Sequence, residues 1–212
     1  MEITTDRLLL REYADEDTAA FLAYQSDPRA QQFHAPGEAA VAQLPSLIPL
    51  FMQWAAEVPR RNWQLAIAER VRPAGLVGSA GLRSAGAPAG EAEFGLELAP
   101  PYWGRGYAIE AARALLAWGF ATLPIVAVHG TTISANTRVG ALVHRLGFRP
   151  VEERAGPEWL ATRGWREVRW ELRREGWEAG GAEWRRRTPF PPADRGVEHG
   201  ACGDRPGREE GR

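Results

Sequence analysis

The sequence predicts a single α/β domain, in the α+β sense, followed by a polar tail. Two observations predict this fold class: short runs in which apolar and polar residues alternate, as in strands, recur along the chain, and segments with helical spacing separate them. With 212 residues, the chain is long enough to bury a full core. We expect the domain to occupy residues 1–177. The tail, 178–212, is rich in Gly, Pro, Arg and Glu, and we expect it to be disordered.

The alternating runs place seven strands in order. They are predicted at 7–12, 63–69, 76–83, 93–98, 125–132, 148–154 and 165–173. Arg72-Pro-Ala-Gly75 predicts a hairpin turn between the second and third of these.

Helices are predicted in the intervals between these strands. Asp15 is a candidate N-cap for a helix that ends before Asp27. Residues 37–58 are apolar with helical character, but Pro45 and Pro49 predict a break there. The apolar spacing after the fourth strand predicts a helix that begins near Arg105 or Gly106.

The segment Trp103-Gly-Arg-Gly-Tyr-Ala108 joins that strand to that helix and is the most informative part of the chain. Gly104 and Gly106 let the loop bend and let an anion approach the unpaired N–H groups of the first helical turn. Because Gly-Lys-Ser/Thr is absent and position 109 is Ile, neither a P-loop nor a complete dinucleotide fingerprint is present. Alternatively, the segment is an ordinary strand-to-helix turn in which glycine serves only the backbone geometry and no anion binds.

A second segment, Ile133 to Phe148, has the pattern of a strand end, a polar turn, a short helix and a stop. With it, the chain resembles GNAT-type N-acetyltransferases. The resemblance rests on Trp103–Ala108 with Glu110-Ala111, Asn136-Thr-Arg138, Leu146-Gly-Phe148, Thr5–Arg11 with Asp15–Asp17 and Ser26–Pro28, and Gly164 to Trp177. This ordered set covers roughly residues 3–177 and is most similar to the RimJ/RimL-like branch that acetylates ribosomal-protein N-termini.

The resemblance implies a mixed, mostly antiparallel sheet of about six to seven strands flanked by about four helices. It also implies acetyl-CoA as co-substrate. The backbone of Trp103, Gly104, Arg105, Gly106, Tyr107 and Ala108 would hold the pyrophosphate, the backbone of Leu96 and Leu98 would pair with the pantetheine arm, and the Asn136 amide would contact that arm. The side chains of Arg105, Arg138 and Arg145 could add charge-assisted contacts to the phosphates. Alternatively, Leu96 and Leu98 are core residues and Asn136 only caps its helix.

Catalysis would be direct attack of an amine on the thioester in a ternary complex. Glu93 and Glu97 alternate with apolar residues, so both carboxylates point from one face of the strand. We expect Glu93 to be the general base, directly or through water, with Glu97 as the alternative. The family's usual general acid is missing, because Val139 and Val143 occupy the corresponding positions; water, Ser134 or Tyr107 are the substitutes.

The favoured acceptor is a protein N-terminal α-amine. A small amine such as an aminoglycoside or polyamine is the first alternative, and a catalytically weak acyl-CoA-binding regulatory domain is the second. Five tryptophans between Trp159 and Trp184 can line an acceptor groove, although we interpret most of them as packing. By family analogy alone, a homodimer is possible.

Composition excludes several other classes. The formal net charge of −1 favours neither nucleic acid nor an anionic membrane as a partner, and the acidic residues of the tail balance its arginines. No apolar run is long enough to span a bilayer and no signal pattern opens the chain, so we expect a cytoplasmic protein. Cys202 is the single cysteine and no Cys/His cluster is present, so we expect no metal site.

Overall fold

Eight strands form one mixed sheet in the computed structural model, which describes residues 1–35 and 38–185. They are β1 (Glu2–Thr4), β2 (Leu8–Arg11), β3 (Asn62–Glu69), β4 (Arg72–Arg83), β5 (Glu91–Leu98), β6 (Ala127–Ile133), β7 (Arg149–Ala155) and β8 (Arg166–Arg173). Their order across the sheet is β1-β2-β3-β4-β5-β6-β8-β7, and only β5 and β6 pair in parallel. The predicted fold class is confirmed, with one more strand than expected.

Seven α-helices accompany the sheet within the described ranges. They are α1 (Thr18–Gln25), α2 (Pro28–Gln31), α3 (Glu38–Ala56), α4 (Tyr107–Thr122), α5 (Thr137–Arg145), α6 (Glu158–Ala161) and α7 (Arg174–Arg185). About four had been expected; α2 and α6 are single turns of four residues, too short to give a periodic signal.

The core has two parts, one on each face of the sheet. One part packs α4 against the sheet through residues such as Leu82, Phe94 and Leu116. The other packs α1 and α3 through residues such as Phe21 and Ile48. Along β5 the apolar positions join the α4 side, so the intervening carboxylates lie on the α1 side.

Helix α3 runs without a break through Pro45 and Pro49, so the predicted interruption is wrong. The two prolines are four residues apart on one exposed face, while Leu44 and Ile48 are buried on the other. Each proline removes one N–H donor, and water can solvate the carbonyl groups left without a partner on an exposed face. Burial of the opposite face then keeps the helix continuous.

Two local predictions are corrected by the structure. The β3–β4 hairpin turns at Arg70 and Val71, whereas 72–75 already belongs to β4, where the pairing register shifts at a bulge. Helix α1 is preceded by a 3₁₀ turn over Asp15–Asp17, and Asp17, not Asp15, accepts a hydrogen bond from the Ala14 N–H at 3.0 Å. Strand β1 has three residues, too few for alternation to predict it.

Helix α7 continues the chain to Arg185, so the first residues of the segment assigned to the tail are helical. The rest of that segment, including Arg186, Arg187 and Cys202, lies outside the described residues. In the described ranges, none of the helices combines the length and the apolar character needed to cross a membrane.

Candidate active site

Strands β5 and β6 separate after a short paired stretch. They pair at only three positions, 91–93 with 127–129. β5 stays bonded to β4 on its other edge, and the N–H of Ala99 extends that ladder with a 2.9 Å hydrogen bond to β4. Because bonded positions alternate along an antiparallel pair, the backbone groups of Leu96 and Leu98 point the other way, into the gap beside β6.

The gap holds a cleft of about 220 Å³. On the α4 side its wall is apolar and includes Val139, Leu142, Val143 and Phe148. On the α1 side it is lined by the charged side chains described below. The cleft can therefore receive an apolar chain from one face and a charged group from the other.

The loop after β5 ends at a helix N-terminus. Gly104 and Gly106 have φ angles of 76° and 79°, a region that residues with a side chain rarely adopt. α4 begins at Tyr107, slightly later than the predicted start at Arg105 or Gly106. The N–H groups of its first turn lack helical partners and carry the positive end of the helix dipole, so this loop is suited to bind an anion.

Two arginine side chains lie against this loop. The Nη1 of Arg7 donates to the Arg105 carbonyl at 2.9 Å, and its guanidinium stacks on the Tyr107 ring at 4.7 Å. Arg138, in the first turn of α5, stacks on Trp103 at 5.3 Å. They place positive charge around the candidate anion site.

Glu110, in the first turn of α4, fastens the amino-terminal segment to this loop. It accepts hydrogen bonds from the Thr5 hydroxyl at 2.6 Å, the Arg7 backbone N–H at 2.9 Å and the Arg7 Nε at 2.7 Å. Desolvation opposes its ionisation, but the bonds from Thr5 and Arg7 outweigh it and hold the pKa of Glu110 below its ordinary value. The carboxylate therefore remains charged at neutral pH.

Two polar side chains already bond to the backbone near the gap. The Trp103 indole N–H donates to the Leu98 carbonyl at 2.6 Å, one of the groups directed into the gap. The Asn136 Oδ1 accepts from the Val139 N–H at 3.3 Å, so Asn136 does cap α5. Its side-chain N–H groups remain chemically able to donate elsewhere.

On the opposite face, Glu93 is ion-paired. Its Oε1 lies 3.0 Å from the Nη2 of Arg83, whose Nη1 donates to the Gln64 Oε1 at 2.9 Å. The Arg83 guanidinium lies flat over Gly95, where an added Cβ would stand only 2.9 Å from Nη2. A side chain at position 95 would therefore require the Arg83 guanidinium to shift from its present position.

Glu97 lies further along the same face with a different set of partners. The Gln25 side-chain amide donates to it, and the Nε2 of His34 is 3.8 Å away. Arginine does not contact Glu97 in the part of the chain that the structure describes, and the His34 contact adds a positive charge only when that imidazole is protonated. Glu97 is thus the carboxylate on this face without a permanent cationic partner.

Two tyrosines lie buried behind Glu97. The hydroxyls of Tyr13 and Tyr24 are shielded from water and make no hydrogen bond of normal geometry. Burial, together with the Glu97 charge, raises the pKa of both phenols far above the ordinary value. Both phenols remain neutral at any physiological pH, so they add no charge next to the carboxylate.

An aromatic contact lies next to this carboxylate. Phe33, the neighbour of His34, packs against Trp165 with ring centroids 5.6 Å apart. Phe33 follows α2 and Trp165 precedes β8, so the contact joins two segments that are far apart in the sequence.

The sequence matches the model of the family described as acetyltransferase (GNAT) domain over residues 7–149. The chain belongs to the GNAT acetyltransferase family. It is an acetyl-CoA-dependent N-acetyltransferase of the GNAT type. Its separated strands and glycine loop are the parts of this GNAT domain suited to hold a coenzyme.

Similar proteins support this membership and leave the acceptor open. The uncharacterized N-acetyltransferase YoaA of Bacillus subtilis is 26% identical over 148 residues, which are 69% of this chain and 82% of YoaA. Spermidine N-acetyltransferase of Vibrio cholerae, solved with CoA and spermine, aligns with a TM-score of 0.68 at 16% identity, over 82% of this chain and 99% of its own. RimL, the ribosomal L7/L12 α-N-protein acetyltransferase solved with CoA, aligns with a TM-score of 0.67 at 14% identity, over 82% of this chain and 98% of its own.

Of the sequence-predicted residues, Leu96 and the two glutamates line the cleft of this GNAT domain. The loop 103–108 follows β5, and Arg138 on α5 stacks on its Trp103 at 5.3 Å, while Asn136 caps α5. Of the two side chains considered as general acid, Tyr107 is engaged elsewhere, because its hydroxyl donates to Glu69 at 2.7 Å. The Ser134 Oγ accepts from the Arg166 N–H at 3.0 Å, which leaves its own O–H able to donate.

Several residues of the GNAT site were missed by the sequence interpretation. Packing of segments distant in the sequence brings Gln25, His34 and Phe33 near Glu97, and no local sequence motif predicts these contacts. Arg83 had a usable signal, because a hairpin between the strands predicted at 76–83 and 93–98 places it opposite Glu93.

Proposed function

We propose that this GNAT enzyme transfers the acetyl group of acetyl-CoA to the α-amine of a protein N-terminus. The observation that carries the proposal is the charge balance on the Glu97 face: Arg83 compensates Glu93, which leaves one carboxylate for a cationic acceptor. A single carboxylate suits a single ammonium group.

The coenzyme would occupy the α4 side of the gap. Backbone N–H groups of the loop 103–108, with Arg138 near them, would bind the pyrophosphate. The pantetheine arm would pair with Leu96 and Leu98 as an added strand, aided by the Asn136 amide. The apolar wall at Val139 and Val143 fits the alkyl part of such an arm.

Among the candidate acceptors, polyamines and aminoglycosides carry several positive charges. Each additional ammonium group placed on this face without a carboxylate would meet the Arg83 guanidinium, and like charges in close contact are unfavourable. Resemblance in fold does not decide the matter, since RimL and the spermidine enzyme align about equally well. The named side chains of this chain favour the monocationic acceptor.

We assign the general base to Glu97 in preference to Glu93. The ammonium group first gives a proton to the carboxylate, directly or through water. The free amine nitrogen then attacks the thioester carbonyl carbon, the C–S bond breaks, and CoA leaves as thiolate, which takes up the second proton lost from nitrogen, directly or through water. A proton moving to Glu93 would compete with the Arg83 ion pair at 3.0 Å, whereas Glu97 has no such competitor. An α-amine, with a pKa of about 8, is easier to deprotonate than a lysine side chain.

The test is loss of thioester absorbance from acetyl-CoA with three acceptor sets: short peptides with free N-termini, spermidine, and an aminoglycoside. We expect turnover with the peptides, and much slower turnover with spermidine and the aminoglycoside. Turnover with polycations alone would refute the α-amine assignment. No turnover with any acceptor, while acetyl-CoA still raises the melting temperature, would indicate a binding domain.

Matched variants separate the parts of the proposal. Glu97→Gln should lower kcat most at low pH while acetyl-CoA binding stays unchanged, and Glu93→Gln should have the smaller effect. The reverse ranking would return the base to Glu93. Arg83→Gln exposes a second carboxylate and should raise the ratio of spermidine to peptide turnover; an unchanged ratio would contradict the charge argument.

A further inference from the structure

A buried glutamine contacts the carboxylate to which we assign the proton transfer. Gln25 is the last residue of α1 and is only 5% exposed. Burying an amide costs free energy unless its groups find hydrogen-bond partners. The side-chain N–H of Gln25 donates to the Oε2 of Glu97, a residue that lines the cleft. The bond therefore connects the interior of the domain to a carboxylate of the candidate active site.

The backbone around Gln25 is fixed by local structure. α1 ends at this residue, and Asp27 begins α2 by accepting a backbone N–H of its first turn at 2.9 Å, with Pro28 at the first helical position. The side-chain amide of Gln31, in α2, donates to the backbone carbonyl of Gln25. The Gln25 side chain thus extends from a corner that both helices hold in place.

The two carboxylate oxygens of Glu97 have different surroundings. Oε2 accepts from the Gln25 amide, which donates hydrogen bonds but takes up no proton near neutral pH. Oε1 has the His34 Nε2 at 3.8 Å, beyond hydrogen-bonding distance, and 45% of the Glu97 side chain is exposed. Oε1 is therefore the oxygen better placed to receive a proton from an incoming ammonium group.

The bond from Gln25 also limits the conformations open to Glu97. Glutamate has three rotatable side-chain bonds, and a partly exposed glutamate without a fixed partner populates several rotamers. A general base acts only when it is within hydrogen-bond reach of the proton that it removes. Fixing the carboxylate before the acceptor binds raises the fraction of molecules that are ready for the proton transfer.

We infer that Gln25 is a positioning residue for the general base: it holds the Oε2 of Glu97, so that Oε1 receives the proton of the acceptor ammonium. This inference rests on the proposed function, because it takes Glu97 as the base. Gln25 acts through Glu97 and takes up no proton itself. Once the proton is on Oε1, the free amine attacks the thioester as described above, while Gln25 keeps its bond to Oε2.

Gln25→Met removes the N–H donor and keeps an unbranched side chain of similar length. With acetyl-CoA and a short peptide that has a free N-terminus, kcat should fall roughly tenfold, which is part of the roughly 10²–10⁴-fold that a positioned general base contributes. The KM for acetyl-CoA should stay unchanged, because the coenzyme is proposed to bind on the α4 side. A purely structural role would lower the melting temperature without this selective loss of kcat.

A double-mutant cycle tests whether Gln25 acts through Glu97. In a Glu97→Gln background, Gln25→Met should cause no further loss of kcat, because the carboxylate that Gln25 holds is already absent. If Gln25 contributed by a separate route, the two losses would multiply.

Gln25→Glu keeps the shape of the side chain but places a second carboxylate against Glu97. Because like charges disfavour ionisation of both groups, the acidic limb of the kcat–pH profile should move to higher pH by about one unit or more. The variant should therefore be slow at neutral pH and recover as the pH rises, whereas the loss in Gln25→Met should persist. Every variant of Gln25 keeps the other titratable and charged groups near Glu97: His34, Tyr13, Tyr24, Glu93 and Arg83.

Asn62→Ala is the matched control. Asn62 is also an amide that is 5% exposed, and its Oδ1 accepts the Ala85 N–H at 3.2 Å, but it lies outside the residues that line the cleft. This variant should lose stability and keep kcat and its pH dependence. Melting temperatures identify any variant that does not fold, and Gln25→Met keeps the test valid if the buried charge of Gln25→Glu prevents folding.

The outcomes separate the positioning role from the proposed function. An unaffected kcat in Gln25→Met beside a large loss in Glu97→Gln would overturn the positioning role alone, as would an equal loss from Gln25→Met in both backgrounds. No loss in Glu97→Gln would overturn the base assignment and the inference together, and so would no turnover with any acceptor. If only spermidine is acetylated, the cycle is run with spermidine, and the same non-additive result would support Gln25 although the acceptor class was wrong.

Discussion

Replacing Glu110 with alanine tests how the loop 103–108, the candidate anion site, is held. The change removes the acceptor for the Thr5 hydroxyl and for three N–H groups of Arg7, with contacts between 2.6 and 2.9 Å. Hydrogen bonds to a charged group contribute about 1.5–3 kcal/mol each when buried. Glu110 is 13% exposed but Arg7 is 48% exposed, so water can solvate the freed guanidinium. We therefore expect a loss of about 2–3 kcal/mol in the free energy of unfolding, well below the sum of the separate bonds.

The assay is urea unfolding followed by tryptophan fluorescence, with Glu153→Ala as the control. Glu153 pairs with Arg166 at 2.8 Å, but both side chains are about half exposed. An exposed pair contributes about 0–1 kcal/mol, so this control should shift the midpoint little. The same measurements with acetyl-CoA should show weaker binding by Glu110→Ala, because Arg7 then no longer fixes the Arg105 carbonyl.

The effect of Glu110 should also depend on pH. Its pKa is depressed in the folded chain relative to the ordinary 4.5, so its stabilising contribution is fully present above pH 4.5. The contribution is lost as the pH falls through the lower folded value. The stability difference between the unmodified chain and Glu110→Ala should therefore shrink below pH 4.5. Equal losses for the Glu110 and Glu153 variants, or a difference that grows on acidification, would refute the reasoning.

Three further substitutions test the gap and the core. Gly106→Asp should abolish acetyl-CoA binding, measured by calorimetry, because it puts a negative side chain where the anion approaches. Gly119→Ala should destabilise the fold by about 1–3 kcal/mol in urea unfolding, since its Cβ would stand 2.3 Å from the Leu82 Cδ1. Trp103→Phe removes the N–H that now occupies the Leu98 carbonyl, and should tighten acetyl-CoA binding a few-fold by equilibrium titration.

Controls exist for the glycine substitutions. Gly86, in the loop between β4 and β5, also has a positive φ, 82°, and a Cβ added there would meet no atom within 4 Å, so Gly86→Asp reproduces the backbone strain of Gly106→Asp outside the candidate anion loop. Gly140 lies in α5, where an added Cβ would meet nothing within 4 Å, and Gly140→Ala should stabilise the fold by about 0.5–1 kcal/mol. If Gly140→Ala and Gly119→Ala changed the free energy of unfolding in the same direction, helix propensity rather than packing would control both effects. A Trp103→Phe variant with weaker binding would mean that the indole N–H assists the coenzyme.

The parts of the fold that could be predicted are those with a local cause. Alternation placed the strand that contains Glu93 and Glu97, and the glycines of the following loop marked the start of α4. Prediction failed where solvent or tertiary contact overrides local preference. The exposed face of α3 tolerates Pro45 and Pro49, and the burial of Asp17 against Arg11 moves the start of the first helical turn.

The same contrast explains why one side of the gap was predictable and the other was not. On the α4 side the candidate ligands are backbone groups. They are exposed by glycines and by a strand edge, and both features can be predicted from short stretches of consecutive residues. On the Glu97 face the groups are side chains from segments as far apart as Gln25 and Trp165, joined only by folding. Such side chains can change while the sheet and the loop stay as they are. The acceptor proposed above therefore depends on side chains such as Glu97 and Arg83, and not on the motif that identifies the family.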